Sequence, residues 1–200
     1  MNPWVERFME QPWVYRLWMA PFAEQKLSPM RRHNDLSRVR RVLDVGCGPG
    51  TNTPLFSQAD YLGIDINPEY IASAKRRYNR SFVTADVTAY DVDDSERFDV
   101  ILVNSLLHHL DTPATVRLLD HLKGLLTDDG RIHILELILP NERSVARVLA
   151  QHDRGAYPRS LAEWRNLLGT VLEPVVTEPY RVGCLGITLW NMVYFVGRRK

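Results

Sequence analysis

The chain of 200 residues carries a net charge of +1, with 45% apolar and 24% charged residues. That profile suits one folded domain with a full core, and excludes both a disordered chain and a global field that would draw in polyanions. The two cysteines, Cys47 and Cys184, lack zinc-ligand spacing or a disulfide pattern, no uncharged apolar run reaches the roughly 18 residues of a membrane span, and Glu6, Arg7 and Glu10 break any signal-peptide core, so a reducing, cytoplasmic setting without membrane insertion is expected.

Residues 1–38 read as a helical cap. Trp4, Phe8, Tyr15, Trp18 and Phe22 stand at spacings of four, seven, three and four, which stack on one helical face interrupted at Pro12. Such a stripe packs aromatic helices onto a sheet, and a helix beside a ligand-binding edge would also wall an apolar acceptor site, so Trp18 and Phe22 are candidate acceptor contacts. Arg31, Arg32, Arg38, Arg40 and Arg41 follow, with further basic clusters at Lys75, Arg76, Arg77 and Arg80 and at Arg198, Arg199 and Lys200. They read as solvated faces and a basic tail, because a nucleic-acid footprint would interleave aromatic residues; nucleic acid is not an expected partner.

Residues 39–200 read as the main domain. The runs RVLDV, YLGID, SFVTAD, FDVILVN and GRIHILELIL are strand-like, and between them PEYIASAKRRY and PATVRLLDHLKGLL are helix-like. This alternation predicts parallel strands joined by right-handed crossovers. Helix starts are marked by Asn67 before Pro68, Thr112 before Pro113, and a capping box of Ser160 with Glu163. The last two β-rich runs have Gly183 and Gly186 between them and no room for a crossover helix, so they pair antiparallel. The expected fold is an α/β, Rossmann-like, seven-stranded and mostly parallel sheet with helices on both faces, a C-terminal antiparallel hairpin and N-terminal aromatic helices.

In such sheets ligands bind outside the carboxyl ends of the strands, where strand order reverses. The loop after the first strand holds Gly46, Gly48 and Gly50 at alternate positions, whereas the dinucleotide fingerprint requires G-x-G-x-x-G. Asp44, just before it, sits awkwardly beside a pyrophosphate and suits a ligand with an ammonium or another positive centre. Asp65 ends the second strand, placed to accept both hydroxyls of a ribose, and Asp86 ends the third, placed to accept from an exocyclic amine. The three strand ends together read amino acid, ribose and adenine. Each residue also has a plain structural reading: tight turns for the glycines, a helix start for Asp65, an Asx-turn for Asp86, and a small buried side chain for Cys47.

The motifs VLDVGCGPG, GIDIN, TADV and FDVILVNSLLHHL, in this order, resemble those of class I S-adenosylmethionine-dependent methyltransferases, in the small-molecule (type 11-like) branch. The resemblance implies S-adenosylmethionine as cofactor, S-adenosylhomocysteine as product, and no metal. It places the methionine portion against Gly46, Cys47, Gly48 and Gly50, the ribose on Asp65, and the adenine on Ile66, Asp86 and Val87. Asn104 and Ser105 would lie beside the amino-acid portion, and Asp44 would act through the loop and its amine or water contacts. The implied partner is a small-molecule acceptor, O-methylated ahead of N- or C-methylated, on a monomer or homodimer. The competing readings are a non-catalytic cofactor- or partner-binding domain and an NAD-dependent oxidoreductase.

Methyl transfer from a sulfonium is an in-line displacement, so holding the acceptor at attack distance supplies much of the catalysis. The acceptor is expected over the ends of the fourth and fifth strands. His108 and His109 are candidate bases there, with packing or backbone hydrogen bonding as the rival reading for either. Glu136 suits binding an amine, orienting a histidine, or pairing with an arginine. Arg154 and Tyr157, in the stretch from His152 to Trp164, are candidate acceptor contacts, or else parts of a turn. A catechol-type metal mechanism would need clustered carboxylates after the fourth strand, where only Asp111 stands.

Overall fold

The computed structural model describes residues 20–93, 96–152 and 155–200. Seven strands form one sheet: β1 (Arg41–Val45), β2 (Asp60–Asp65), β3 (Ser81–Thr84), β4 (Phe98–Asn104), β5 (Leu126–Ile138), β6 (Glu173–Cys184) and β7 (Ile187–Arg198). Their order is β3-β2-β1-β4-β5-β7-β6, parallel from β3 through β5 and antiparallel where β7 joins β5 and β6. Strand order reverses between β1 and β4, so the crevice at their carboxyl ends is the ligand position of an open α/β sheet.

Helices α1 (Ala23–His33), α2 (Pro68–Arg77), α3 (Thr112–Gly124), α4 (Val145–Gln151) and α5 (Leu161–Val171) cover the sheet. The alternation of β4 shows why both faces need cover: Ile101 and Val103 enter one core with Leu118, Leu119 and Trp164, while Val100 and Leu102 enter another with Leu27, Met30 and Ile71. Burying each such side chain contributes about 1.5–3 kcal/mol. A smaller cluster of Leu137, Ala150, Val182 and Met192 joins α4 to the hairpin, with Phe22 and Trp190 packed against it.

Helix starts follow local chemistry. Asn67 accepts from the backbone N–H groups of Glu69 and Tyr70, and the Ser160–Glu163 capping box is complete. Thr112 is not the cap of α3. Asp111 takes that place, its carboxylate accepting from Ala114 N–H at 2.7 Å, because its extended backbone leaves Thr112 and Pro113 inside the first turn. The hairpin turns at Leu185 and Gly186, both left-handed (φ 50° and 77°), as the twist of a two-residue turn requires. Gly183 lies within β6 at a bulge, where a Cβ would meet Ile187 O at 2.0 Å.

Of the aromatic stripe, Trp4, Phe8, Tyr15 and Trp18 lie outside the described residues. Phe22 meets Trp190 edge-on, with ring centroids 5.1 Å apart. The basic clusters are largely met by acids and carbonyls. Arg40 pairs with Asp99, Arg41 with Asp60, and Arg32 and His33 both with Glu178. At the chain's end Arg198 pairs with Glu173, Arg199 donates to the carbonyls of Lys123 and Leu126, and Lys200 Nζ donates to those of Gly169 and Thr170 at 2.6 and 2.8 Å. The tail thus meets carbonyls at the C-terminal ends of α3 and α5, the ends that favour positive charge.

Candidate active site

The glycine loop leaves β1 at the point of strand-order reversal. Gly46 and Cys47 donate their N–H groups to Ile64 O at 2.8 and 3.0 Å, which ties the loop to β2. All three glycines are left-handed. At Gly50 a Cβ would also lie 2.9 Å from the Tyr78 ring, whereas around Gly48 nothing lies within 4 Å, so that side of the loop is open to a ligand.

A cavity of about 290 Å³ opens beside the loop, lined by Gly46, Asp65, Ile66, Asp86, Val87 and Leu106 among others. Asp65 accepts from Gly48 N–H at 2.9 Å and Asn67 N–H at 2.8 Å, one on each carboxylate oxygen. It therefore both shapes the loop and faces the cavity. Asp86 accepts from the N–H and hydroxyl of Thr88, which hold its carboxyl below the ordinary range, and it caps the turn at Val87–Ala89. Ile66 is 74% exposed, an apolar side chain held at the cavity rim where a planar base would cover it.

Asp44 does not line this cavity. It is fully buried beneath the loop, accepts from the Tyr61 hydroxyl, and holds Asn52 Nδ2 at 3.2 Å from each oxygen. Burial pushes its carboxyl up to about 7 against the opposing pull of those hydrogen bonds. Cys47 is buried as well, and burial pushes its thiol up, so it is a packing residue rather than a nucleophile. Asn52 Oδ1 in turn accepts from Asn104 Nδ2 at 2.9 Å, and Asn104 Oδ1 is buried with no partner among the described residues.

At the ends of β4 and β5 the polar groups converge. Ser105 is left-handed (φ 55°), and its hydroxyl accepts from Lys26 Nζ of α1 at 2.7 Å. Glu136 is fully buried in β5; one oxygen accepts from the N–H groups of Leu106 and Leu107 at 2.8 and 2.6 Å, and the other lies 2.7 Å from His108 Nδ1. Burial alone would raise this carboxyl, but the His108 ring and the two backbone donors outweigh it and hold it below the ordinary range. Glu136 therefore orients His108, one of the three roles open from sequence, and fixes a proton on its Nδ1. His109 is exposed, its ring centroid 4.3 Å from that of His108.

The segment from Gly155 to Arg159 lies over this pair. Tyr157 donates its N–H to His108 O at 3.0 Å, and a Cβ on Gly155 would meet His108 Cδ2 at 2.1 Å. Arg159 donates to the carbonyls of Leu107 and Leu110 and stacks on Trp164, which makes it a brace for the turn carrying His108. Arg154 lies outside the described residues, and Phe22 packs on the hairpin rather than in the cavity. Lys26, Asn52 and Tyr61 were not singled out by the motifs: Tyr61 and Lys26 sit in ordinary helix and strand patterns, and only Asn52, directly after the glycine loop, carries a positional hint.

Comparison with known proteins matches this geometry. Residues 42–130 match the family model of a methyltransferase domain. The chain is 32% identical over 149 residues to trans-aconitate 2-methyltransferase of Methylobacterium radiotolerans, covering 70% of this chain and 55% of that protein. It is 30% identical over 132 residues to the ubiquinone biosynthesis O-methyltransferase of Rhodopseudomonas palustris, covering 62% and 51%. It thus spans about half the length of these curated relatives. A solved structure of the Burkholderia thailandensis 1,6-didemethyltoxoflavin-N1-methyltransferase, with bound 1,6-didemethyltoxoflavin and S-adenosylhomocysteine, superposes with a TM-score of 0.69 at 25% identity, over 100% of this chain and 91% of that one.

Fold and site together define a Rossmann-like methyltransferase domain with its ligand edge at β1, β2 and β4. Residues 42–130 thus match a methyltransferase domain, and the structure of the 1,6-didemethyltoxoflavin-N1-methyltransferase to which the chain is similar holds the S-adenosyl cofactor in its product form. The residues of this chain fit that cofactor: open space at Gly48, a carboxylate at the end of β2, an apolar rim at Ile66, and an unpartnered buried acceptor on Asn104.

Proposed function

We propose that the protein transfers a methyl group from S-adenosylmethionine to a small-molecule acceptor, at oxygen ahead of nitrogen or carbon. The observation that carries this reading is the placement of the Asp65–Ile66–Asp86 cavity next to the buried Glu136–His108 pair at the ends of β4 and β5. Bound in the cavity, the cofactor supplies an electrophilic methyl on a sulfonium. The chain's part is to hold and orient: Asp65 takes the ribose hydroxyls, Ile66 and Val87 flank the adenine, and Asp86 meets its amine.

On the acceptor side, Glu136 holds the His108 proton on Nδ1, so that Nε2 is the basic atom that would take a hydroxyl proton as the methyl arrives. That arrangement favours oxygen, whose lone pair becomes strongly nucleophilic only as its proton leaves. Tyr157, in the segment that lies over His108, is proposed to border the acceptor, with His109 as the second titratable group. The names of the relatives span O- and N-methyltransferases, and all three name small organic acceptors or their biosynthesis.

Calorimetric titration with S-adenosylmethionine, S-adenosylhomocysteine and NADH tests the reading. Micromolar binding of the first two and none of the third is expected. Binding of NADH alone would overturn it in favour of an oxidoreductase, and cofactor binding without turnover on any hydroxyl acceptor would favour a binding domain.

A further inference from the structure

Two cavities lie past the Glu136–His108 pair at the end of β5. Glu136 and Ile138 stand two residues apart in that strand, so their side chains share one face of the sheet, about 7 Å apart along it. Ile138 borders both cavities, and so does Leu161 of α5. The first, of about 360 Å³, is completed by Asn141, Ser160 and Arg165 among others, and the second, of about 330 Å³, by Pro179, Arg181 and Asn191. Sheet register sets the second: Ile138 pairs with Asn191, and Asn191 with Arg181, which puts the three side chains in a row across β5, β7 and β6. The wall toward His108 is a single extended segment. Leu139 donates its N–H to Arg159 O at 2.8 Å, so the stretch that lies over His108 runs directly on into Ser160 and Leu161.

Charge in these cavities is one-sided. Arg32, Arg40, Arg41, Arg159, Arg198 and Arg199 are all engaged with acids or carbonyls, and in the loop after β5 Arg147 donates to the carbonyls of Pro140 and Asn141. Arg165 and Arg181 have no hydrogen-bond or ion-pair partner among the described residues, and no carboxylate lines either cavity. The nearby acids are otherwise placed. Glu163 accepts from Ser160 N–H at 2.7 Å, and Glu178 pairs with Arg32 and His33. Glu142 lines an adjoining cavity that Arg181 also borders, which leaves Arg165 the less compensated of the two.

We infer that the acceptor is an organic acid whose apolar body lies over Ile138 and Leu161 and whose carboxylate is received by Arg165 and Arg181. Planar guanidinium groups match a planar two-oxygen anion, and the amides of Asn141 and Asn191 stand beside them as further donors. The inference rests on the acceptor side of the methyl-transfer reading and adds to it the charge of the substrate, carried away from the atom that reacts at His108.

The test titrates benzoate, 4-hydroxybenzoate and hexanoate by ligand-observed NMR against protein saturated with S-adenosylhomocysteine, each beside its neutral carboxamide, with phenyl phosphate as a second kind of oxyanion. The wild type is expected to bind the tightest of the acids at least about tenfold better than its amide, the ratio for a charge-assisted hydrogen bond. Arg165→Gln and Arg181→Gln are each expected to cut that ratio at least about threefold, and the double variant to abolish it, with S-adenosylhomocysteine affinity kept within about twofold. Arg76→Gln removes the same charge from the exposed surface of α2, at the other edge of the sheet, and should leave the ratio unchanged. Equal affinity for acids and amides, no binding of any acid, phenyl phosphate bound more tightly than benzoate, or an equal fall in Arg76→Gln would each overturn the inference and leave the cofactor assignment standing. Failure of the wild type to bind S-adenosylhomocysteine would instead overturn the methyl-transfer reading, and this inference with it.

Discussion

Asp65 holds the loop through Gly48 and the start of α2 through Asn67, and it faces the cavity with the same carboxylate. Asp65→Ala is expected to cut S-adenosylhomocysteine affinity by more than tenfold in calorimetry while thermal unfolding stays cooperative; unchanged affinity would mean that the ribose lies elsewhere. His108→Gln is expected to lower kcat by about 10²–10⁴-fold at an acceptor hydroxyl and to remove the acid-side limb of a pH–rate profile, with cofactor affinity retained. Two other buried groups set the pH dependence of stability with opposite signs. Burial, helped by Arg131, lowers His133 to about 3 from an ordinary 6.5. Below pH 6.5 the unfolded chain therefore takes up a proton that the folded one refuses, and stability is lost as pH falls from 6.5 toward 3. Asp44, raised to about 7 from 3.8, does the reverse: its contribution is complete below pH 3.8 and is lost as pH rises through 7. Melting curves across that range should show His133→Gln less sensitive to acid than the wild type, and Asp44→Asn lacking the decline between pH 4 and 7.

Single caps decide how the elements start. Asp111 and Ser160 each satisfy backbone donors of a helix packed on the same core, so Asp111→Ala and Ser160→Ala are each expected to cost about 1 kcal/mol in denaturant unfolding. The Ser160 variant has a second consequence, because its neighbour Arg159 braces the turn that carries His108. Loss of the cap should lower turnover along with stability, whereas loss of the Asp111 cap should act on stability mainly. At this scale the sequence was most informative. Alternating apolar runs locate β1 through β4 closely, since period-two burial is a local property, and Asn67 and Ser160 cap where their side chains can reach the next N–H. Thr112 misled because two adjacent residues can both cap, and backbone geometry, not residue type, chose Asp111. Gly183 misled for a related reason: a glycine that reads as a turn serves a bulge where a carbonyl approaches closely.

Across the whole molecule, the sheet divides two apolar layers that neighbouring residues of one strand serve. Ile101→Ala and Leu102→Ala, which open opposite layers, are each expected to cost about 2–5 kcal/mol and to shift one common transition seen by both near- and far-ultraviolet circular dichroism. Two separate transitions would show that the layers melt independently. The main lines of the candidate site were legible because strand ends bring Gly46, Asp65, Asp86 and Asn104 to one edge, and topology follows from the alternation of elements. The pairs that set its chemistry were not: Lys26 with Ser105 spans 79 residues, and Asn52 with Asn104 spans 52, so neither leaves a periodicity or spacing to read.

The docking of Arg198 onto Glu173, and of Arg199 and Lys200 onto the ends of α3 and α5, changes how charge removal there should be interpreted. Arg198, Arg199 and Lys200 look like an electrostatic address, yet their charges are spent on Glu173 and on backbone carbonyls far from the ligand edge. A variant with these three residues replaced by glutamine should therefore lose melting temperature, while its heparin-column retention moves little; Arg198, Arg199 and Lys200 act as a clasp.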